Sequence, residues 1–282
     1  MINSQKKEIL AEKIDWIAYT QKNNVDWQFP VYISDKWKQI SPLRNYTNGE
    51  ENQQGVKRFW NTIRSNQGRI VIMDGSASSI LGDNLEHFAC WLGAMDAKPT
   101  RLDYALDITH SEFNPRGCVQ HLRNKSVVTH AQTAMQVTDE FKGGFTQYLG
   151  TKHSETYTRI YDKAIEQKTD YSWIRIETVY QGARAEASLQ AYLQCQSTRP
   201  LIKRHVDFPK WRAWQRVMSG DLVKLAIPPR ETRTRAWLLS QVAKSLAGEI
   251  NMDDEHAFWF EFKERVAEEL AALDKIAHVI DF

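Results

Sequence analysis

The segment T-Y-T-R-I-Y-D-K-A-I-E-Q, at residues 156–167, combines residue types that could attack a phosphate group. It is predicted to form a strand, in which alternate side chains point to the same face. Arg159, Tyr161 and Lys163 then share one face, with a cation on either side of the tyrosine. Because an unperturbed phenol ionises only at about pH 10, a nucleophilic tyrosine needs such cations. Glu166 could orient Lys163 or accept a proton.

A second predicted strand, R-L-D-Y-A-L-D-I at residues 101–108, carries Asp103 and Asp107 on one face. Buried carboxylates need a partner, because an unpaired buried charge is costly. Mg²⁺ or Mn²⁺ would provide one, since hard cations prefer oxygen ligands. The alternative is a surface strand whose aspartates are solvated or paired with arginine.

A third predicted strand contains W-I-R-I-E-T-V at residues 173–179, with Arg175 and Glu177 on one face. Glu177 could complete a metal site and Arg175 could contact a phosphate, whereas a cross-strand ion pair is the alternative. Asp74 ends an earlier predicted strand and could join the site, although an aspartate at such a position more often opens a turn. Together these residues favour a tyrosine nuclease that acts on DNA with the help of a metal ion.

Composition and motif content argue against several other classes of protein. The net charge of +2 is too small to indicate nucleic-acid binding by itself, but it leaves room for a local basic groove. The cysteines form no C-x-x-C pair, which argues against zinc ribbons and redox motifs. The chain has no H-E-x-x-H, G-x-S-x-G or G-x-x-x-x-G-K-[ST] motif. It also has no run of about 18 apolar residues, so no membrane span is predicted.

The elements that position these residues fall into two predicted regions. Residues 1–198 mix strands and helices, which predicts an α+β fold with an antiparallel sheet as the platform for the site. Residues 199–282 have helical patterns that interleave basic residues with tryptophans. This region could hold DNA, or it could be a helical cap with solvated arginines. We predict strands at 13–20, 68–74, 101–108, 132–137, 145–150, 156–164 and 172–180, a loop at 46–54, and helices at 84–97, 183–194, 210–219, 233–247 and 254–277.

The order of three sequence blocks resembles the replication initiation factor family. The blocks are T-R-L-D-Y-A-L-D, then Q-Y-L-G-T-K-H-S-E-T-Y-T-R-I-Y-D-K-A-I-E, then W-I-R-I-E. Members show a Tyr-hydrophobic-Gly strand, a short turn with a serine, and a strand with Arg-hydrophobic-Tyr-Asp/Asn-Lys. Here the first strand motif is Tyr148-Leu149-Gly150, the serine of the turn is Ser154, and the second strand motif is Arg159-Ile160-Tyr161-Asp162-Lys163. The family includes initiators of small rolling-circle plasmids, replication proteins of some filamentous phages, and related conjugative relaxases.

The resemblance implies a role for each candidate residue. Tyr161 would be the nucleophile, and Asp103, Asp107 and Glu177 would hold one Mg²⁺ or Mn²⁺ ion. One turn departs from the family pattern G-S-R-x-S, because this chain has G-T-K-H-S at the same place. Lys152 is the candidate substitute for the arginine of that turn.

The resemblance also implies a function, which is rolling-circle replication initiation in the cytoplasm of a bacterial host cell. The enzyme would nick and rejoin single-stranded or cruciform origin DNA through a 5′-phosphotyrosine. Its partners would be a host helicase and a DNA polymerase. A second round of strand transfer needs a second nucleophile, either from a homodimer or from Tyr157 of the same chain. A conjugative relaxase with the same chemistry and a non-catalytic origin-binding regulator are the alternatives.

Overall fold

One ten-stranded antiparallel sheet dominates the computed structural model, which describes residues 9–22, 29–43, 45–62, 68–109, 114–139, 143–218 and 225. Its strands and those of a small second sheet are β1 (Ile9–Gln21), β2 (Trp37–Gln39), β3 (Tyr46–Asn52), β4 (Lys57–Thr62), β5 (Arg69–Met73), β6 (Ala97–Ile108), β7 (Val128–Thr129), β8 (Ala134–Asp139), β9 (Gly144–Leu149), β10 (Thr156–Asp162), β11 (Ile174–Gln181) and β12 (Val206–Asp207). The large sheet has the order β2-β3-β4-β5-β1-β6-β11-β10-β9-β8, and β12 pairs with β7.

The helices are short and lie between the strands in the sequence. They are α1 (Gly75–Ser78), α2 (Leu85–Ala94), α3 (Gly117–Arg123), α4 (Lys163–Gln167), α5 (Ala183–Cys195), α6 (Arg199–His205) and α7 (Arg212–Val217). The sheet and helices confirm the predicted α+β fold with an antiparallel platform. No helix in the described part of the chain is long and apolar enough to cross a membrane.

Helices cover one face of the sheet and form its apolar core there. Tyr104 of β6 belongs to a buried cluster that includes Leu189 of α5. Leu106, two residues further along β6, belongs to a second cluster with Ile202 of α6 and Trp214 of α7. Because strand side chains alternate, the residues between these positions point to the opposite face. That opposite face carries the predicted functional residues of β6, β10 and β11.

The central strands are buried on both faces, although one face is polar. Residues 102–108 of β6 are all buried, and so are residues 174–180 of β11. An antiparallel strand with one solvated face would alternate between buried and exposed residues. Here Asp103, Asp107 and Glu177 interrupt the apolar pattern but are buried as well. Burial of these carboxylates requires partners within the sheet, which are described in the next section.

The helices just beyond residue 198 belong structurally with the sheet. The chain divides into two compact units, Met1–Ile227 and Pro228–Phe282. Ile202 and Trp214 lie in the first unit and pack against its sheet. The helix predicted at 210–219 appears as α7, whereas those predicted at 233–247 and 254–277 lie outside the described residues. The domain boundary at residue 198 stays a prediction.

The loop predicted at residues 46–54 is wrong, because most of that segment forms β3. Its glycine and asparagine content indicated a loop, but the strand has specific cross-strand partners. A Cβ atom on Gly49 would lie 2.9 Å from the ring of Phe59, so only glycine fits beneath that ring. Glu50 accepts a hydrogen bond from Nε of Arg58 at 2.8 Å. Cross-strand pairs of these kinds stabilise a strand that lacks an apolar pattern.

His205 is a buried neutral side chain on the helix-covered face. Its Nδ1 lies 2.8 Å from the hydroxyl of Thr158. Burial lowers its pKa from 6.5 to about 4, and nearby His130 and Arg184 act in the same direction. The unfolded chain therefore binds a proton at His205 between about pH 6.5 and pH 4, whereas the folded protein does not. Stability from this group is present above that range and is lost as the pH falls through it.

We expect the His205→Asn variant to lose less stability than the wild type on acidification. The asparagine keeps a polar group near Thr158 but cannot be protonated. Between pH 7 and pH 5, the wild type should lose about 2 kcal/mol more free energy of unfolding than the variant. Urea denaturation at both pH values measures this difference, and equal losses would show that His205 is not buried in its neutral form.

Candidate active site

Strand register places the predicted residues in two rows across the polar face of the sheet. In the first row, Arg159 of β10 pairs with Glu177 of β11. In the second row, Tyr161 pairs with Arg175, and Arg175 pairs with Asp107 of β6. Neighbouring strands are about 4.8 Å apart, so the two rows form one continuous patch of charged and phenolic groups.

Tyr161 is buried and its hydroxyl points towards Glu177. The hydroxyl donates a hydrogen bond to Oε2 of Glu177 at 3.4 Å. The guanidinium carbon of Arg159 is 5.4 Å from the centre of the phenol ring, and Nζ of Lys163 is 5.7 Å from it. Burial and then the charge of Glu177 raise the pKa of Tyr161 well above its usual value, which Arg159 and Arg175 only partly offset. The phenol therefore stays protonated until the charge of Glu177 is offset or Glu177 accepts its proton.

Asp103 and Glu177 form a buried carboxyl pair. Burial raises the pKa of Asp103 to about 7, and a hydrogen bond with Glu177 and its charge add to this effect. Arg101 opposes the shift through hydrogen bonds of 2.8 and 2.6 Å to the two oxygens of Asp103. Glu177 is likewise bound by an arginine, Arg159. Carboxylate oxygens suit a divalent cation, which would take the place of the two arginines at this pair.

Asp107 is neutralised by Arg175, so the predicted trio of metal ligands does not come together. Nε and Nη2 of Arg175 bind the two oxygens of Asp107 at 2.6 and 2.8 Å. Nη1 of Arg175 binds Asp15 at 2.8 Å, and Asp15 also pairs with Lys13 at 3.0 Å. The described residues contain no group of three or more histidine, cysteine, aspartate or glutamate side chains placed to hold a metal. Asp107 and Asp103 are each paired with an arginine, as in the alternative, but on a buried strand and not on a surface strand.

The arginines beside the carboxylates differ in how firmly they are held. The side chain of Arg175 is 4% exposed and makes three hydrogen bonds to carboxylates. Arg101 and Arg159 are 33% and 30% exposed, and each binds one carboxylate. Arg101 and Arg159 are therefore more accessible to a ligand than Arg175 is.

Sequence reasoning missed Asp15 as a member of this network. The pairing of β1 with β6 is irregular between Ile14 and Trp16, so the chain has an extra residue at Asp15. Such a bulge changes the direction in which a side chain points. Asp15 thereby reaches Arg175 from a strand whose alternation alone would not assign it to the site. The only signal in the sequence is an aspartate next to a tryptophan in an otherwise alternating strand.

Lys163 lies beside Tyr161, but it is not a strand residue as predicted. β10 ends at Asp162, whose carboxylate accepts hydrogen bonds from the backbone N–H groups of Ala164 and Ile165 and caps α4. Lys163 is the first residue of that helix, and its ammonium group binds Glu166 at 2.7 Å. The predicted interaction between Lys163 and Glu166 is therefore present in the structure.

Asp74 lies at the rim of the site and performs the turn function that was the alternative. It caps α1 by accepting a hydrogen bond from the N–H of Ala77 and also binds Nζ of Lys57 at 3.2 Å. Asp74 lines the same groove as Tyr161. It is not joined to the Asp103–Glu177 pair.

A groove of about 590 Å³ opens above the phenol of Tyr161. Arg159, Lys163 and Trp16 are among the side chains that line it. Within the described part of the chain, two buried donors there have no acceptor, namely Nε of Arg159 and Nε1 of Trp16. Buried polar groups normally have a hydrogen-bond partner. Neither atom has accessible surface, so the cations that the groove offers to an anionic ligand are Lys163 and the remainder of the Arg159 guanidinium.

The comparisons with known proteins concern the fold and the family. A solved structure, that of a rolling circle replication initiator protein from Geobacillus stearothermophilus, is similar with a TM-score of 0.59 and 18% identity. The similarity covers 76% of this chain and 92% of that chain, and at this identity it concerns the fold. No curated protein sequence matches the chain.

The sequence profile of one family matches this chain over residues 97–259, which is more than half of its length. That profile describes the replication initiation factor family. The chain therefore belongs to this family, as the order of its sequence blocks predicted. The matched region includes β6, β10 and β11, which carry Tyr161 and the buried carboxylates.

The Arg175–Asp107 pair should be essential for stability. We expect Arg175→Met to lower the free energy of unfolding by about 3–5 kcal/mol, because Asp107 is left buried without a counter-charge. Combining Arg175→Met with Asp107→Leu should recover most of this loss. Chemical denaturation measures both variants.

The exposed pair between Arg184 and Glu155, with an N–O distance of 3.1 Å, provides a matched control. Arg184→Ala should cost less than about 1 kcal/mol, since exposed ion pairs contribute little. If Arg175→Met costs no more than this control, then Arg175 is not the counter-charge on which Asp107 depends.

Proposed function

We propose that this protein initiates rolling-circle replication by nicking and rejoining single-stranded origin DNA, with Tyr161 as the nucleophile. The observation that supports this proposal best is the position of the Tyr161 hydroxyl. It lies beneath an open groove, is hydrogen-bonded to a carboxylate at 3.4 Å, and has the cations of Arg159 and Lys163 beside its ring. Family membership and the fold shared with a rolling circle replication initiator protein support the same function.

The nicking step follows from these positions. Tyr161 gives its proton to water in the groove, and the phenolic oxygen attacks the phosphorus atom of the scissile phosphate. The bond from phosphorus to the 3′-oxygen breaks, which leaves a 5′-phosphotyrosine and a 3′-oxygen that takes up a proton. Arg159 and Lys163 bind the non-bridging oxygens, where negative charge accumulates in the transition state. The reverse reaction rejoins the strand without ATP, because the protein linkage retains the phosphodiester.

Asp103 and Glu177 would hold one Mg²⁺ or Mn²⁺ ion. When bound, such an ion supplies Lewis-acid stabilisation of the phosphate oxygens. Arg101 and Arg159 would release these carboxylates and turn towards the DNA backbone. Asp107 would act as a positioning residue, because it fixes Arg175 next to Tyr161 instead of contributing a ligand.

The partners follow from the products of the reaction. A free 3′-hydroxyl primes a host DNA polymerase, and displacement of the parental strand needs a host helicase. A homodimer would supply the second nucleophile for termination. Single-stranded or cruciform DNA is the substrate, because a phosphate in a regular duplex cannot reach a phenol at the bottom of a groove.

The Tyr161→Phe variant should form no covalent adduct with DNA. The assay incubates the protein with a random-sequence single-stranded oligonucleotide pool and Mn²⁺, then separates the products on a denaturing gel. Tyr157→Phe is the matched control, because Tyr157 lies on the same face of the same strand. It should retain most of the adduct. An adduct that persists in Tyr161→Phe and disappears in Tyr157→Phe would move the nucleophile to Tyr157, and no adduct in the wild type would favour a non-catalytic regulator.

Metal binding can be measured separately from activity. A ligand that binds only the folded state raises the melting temperature, so Mn²⁺ should stabilise the wild type in a thermal-shift titration. Glu177→Gln and Asp103→Asn should abolish this stabilisation, whereas Asp107→Asn should retain it. If Mn²⁺ stabilised Glu177→Gln and Asp103→Asn but not Asp107→Asn, the assignment of the ion to Asp103 and Glu177 would be rejected.

A further inference from the structure

Beside the groove, the polar face of the sheet continues onto a patch of apolar and aromatic side chains. We name it the β8–β9 shelf, and it consists of Met135 and Val137 of β8 with Thr146 and Tyr148 of β9. Met135 pairs with Tyr148, and Val137 pairs with Thr146. The shelf is exposed, since Met135 and Val137 are 54% and 44% accessible to solvent. Large exposed apolar side chains that cluster together mark a binding surface.

Strand register joins this shelf to the nucleophile. Tyr148 pairs with Arg159, and Thr146 pairs with Tyr161. Val137 is therefore two strands away from Tyr161 in the same row, at about 10 Å. The sugar and base of one nucleotide can span this distance when its phosphate lies over the phenol. Val137, Thr146 and Tyr148 also line the groove that contains Tyr161.

The charges around the groove favour an anionic polymer as its occupant. Its acidic side chains are already engaged within the protein: Asp15 with Arg175, Asp74 with Lys57, Asp162 at the cap of α4, and Glu166 with Lys163. The cations of Arg159 and Lys163 line the groove, and the Arg159 side chain is 30% exposed. The groove thus offers cations to a phosphate, and the shelf next to it offers apolar surface to a base.

We propose that the β8–β9 shelf binds the unpaired base of a nucleotide next to the scissile phosphate, an inference that rests on the proposed nicking function. Tyr148, Met135 and Val137 contact the face of the base, while the groove holds the phosphate over Tyr161. Contacts to the faces of bases favour single-stranded nucleic acid, because every base has such a face and only an unstacked base exposes it. The shelf therefore explains how the site selects single-stranded DNA at the nick.

The alternative occupant is a second copy of this chain. β8 is the last strand of the large sheet among the described residues, and it bears no lysine or proline that would protect an exposed edge. Two β8 strands could pair and cover Met135 and Val137. DNA is favoured, because Val137, Thr146 and Tyr148 of the shelf also line the groove that contains Tyr161. The molecular mass of the protein in solution distinguishes the two occupants.

The test compares Met135→Gln combined with Val137→Thr against Gln136→Ala combined with Thr138→Ala. The control residues lie on the same strand but on its opposite face. The substrate is an oligonucleotide whose cleavage site is identified by sequencing wild-type adducts from the random single-stranded pool. The shelf variant should form the Tyr161 adduct about tenfold more slowly at subsaturating DNA, and the control should stay within about twofold of the wild type.

Abasic substrates show whether the shelf contacts a base. Removal of the base from the nucleotide next to the scissile phosphate should slow adduct formation by the wild type about tenfold. The same lesion should have little further effect on the shelf variant, because the contact is already lost. Equal rates for the shelf variant and the wild type, or fully additive effects of lesion and variant, would overturn the inference.

Two further outcomes separate the possible causes of failure. If light scattering shows that the shelf variant converts a dimer into a monomer, a second copy covers the shelf and the inference is wrong. If the wild type forms no adduct at all, the proposed nicking function fails first. If the wild type forms an adduct that the shelf variant leaves unchanged, only the inference about the shelf fails.

Discussion

The structure depends on how the buried carboxylates at the centre of the sheet are neutralised. β6 and β11 are buried on both faces, so Asp103, Asp107 and Glu177 cannot rely on water. Asp107 is bound by Nε and Nη2 of Arg175, which is itself buried. Asp103 and Glu177 face each other, and the pKa of Asp103 is raised to about 7 by burial and by that neighbour in spite of Arg101. Asp107 is thus held by a buried arginine, whereas Asp103 and Glu177 are bound by the more exposed Arg101 and Arg159.

This difference links the fold to its chemistry. The hydroxyl of Tyr161 donates a hydrogen bond to Glu177, and burial together with the charge of Glu177 raises the pKa of the phenol, so neutralisation of Glu177 also controls ionisation of the phenol. The Arg175–Asp107 pair lies beside Tyr161 in the same row, and Arg159, which binds Glu177, is more exposed than Arg175. A buried ion pair adds little net stability compared with apolar residues of the same volume. Its presence here is therefore better explained by positioning than by stability.

Much of the fold was predictable from the sequence, because β6, β10 and β11 have clear two-residue periods that place their charged residues on one face. Pairing was not predictable, since alternation does not reveal which strands are neighbours or which side chains are opposite. For this reason the sequence did not reveal that Arg175 is the cross-strand partner of Asp107, and the assignment of Asp107 to a metal stays a prediction. Asp15 was missed because a bulge redirects it, and Lys163 was assigned to a strand because the cap formed by Asp162 overrides the alternation. The β3 strand was missed because its stabilising pairs are polar and local.

The claim that Asp103 and Glu177 are neutralised differently from Asp107 is tested most directly by anomalous scattering from crystals of the protein soaked in Mn²⁺. The central claim predicts one manganese peak about 2.2 Å from oxygens of Asp103 and Glu177. Nε and Nη2 of Arg175 should still bind Asp107 in the same crystals. A manganese peak coordinated by Asp107, with Arg175 displaced from it, would contradict the claim.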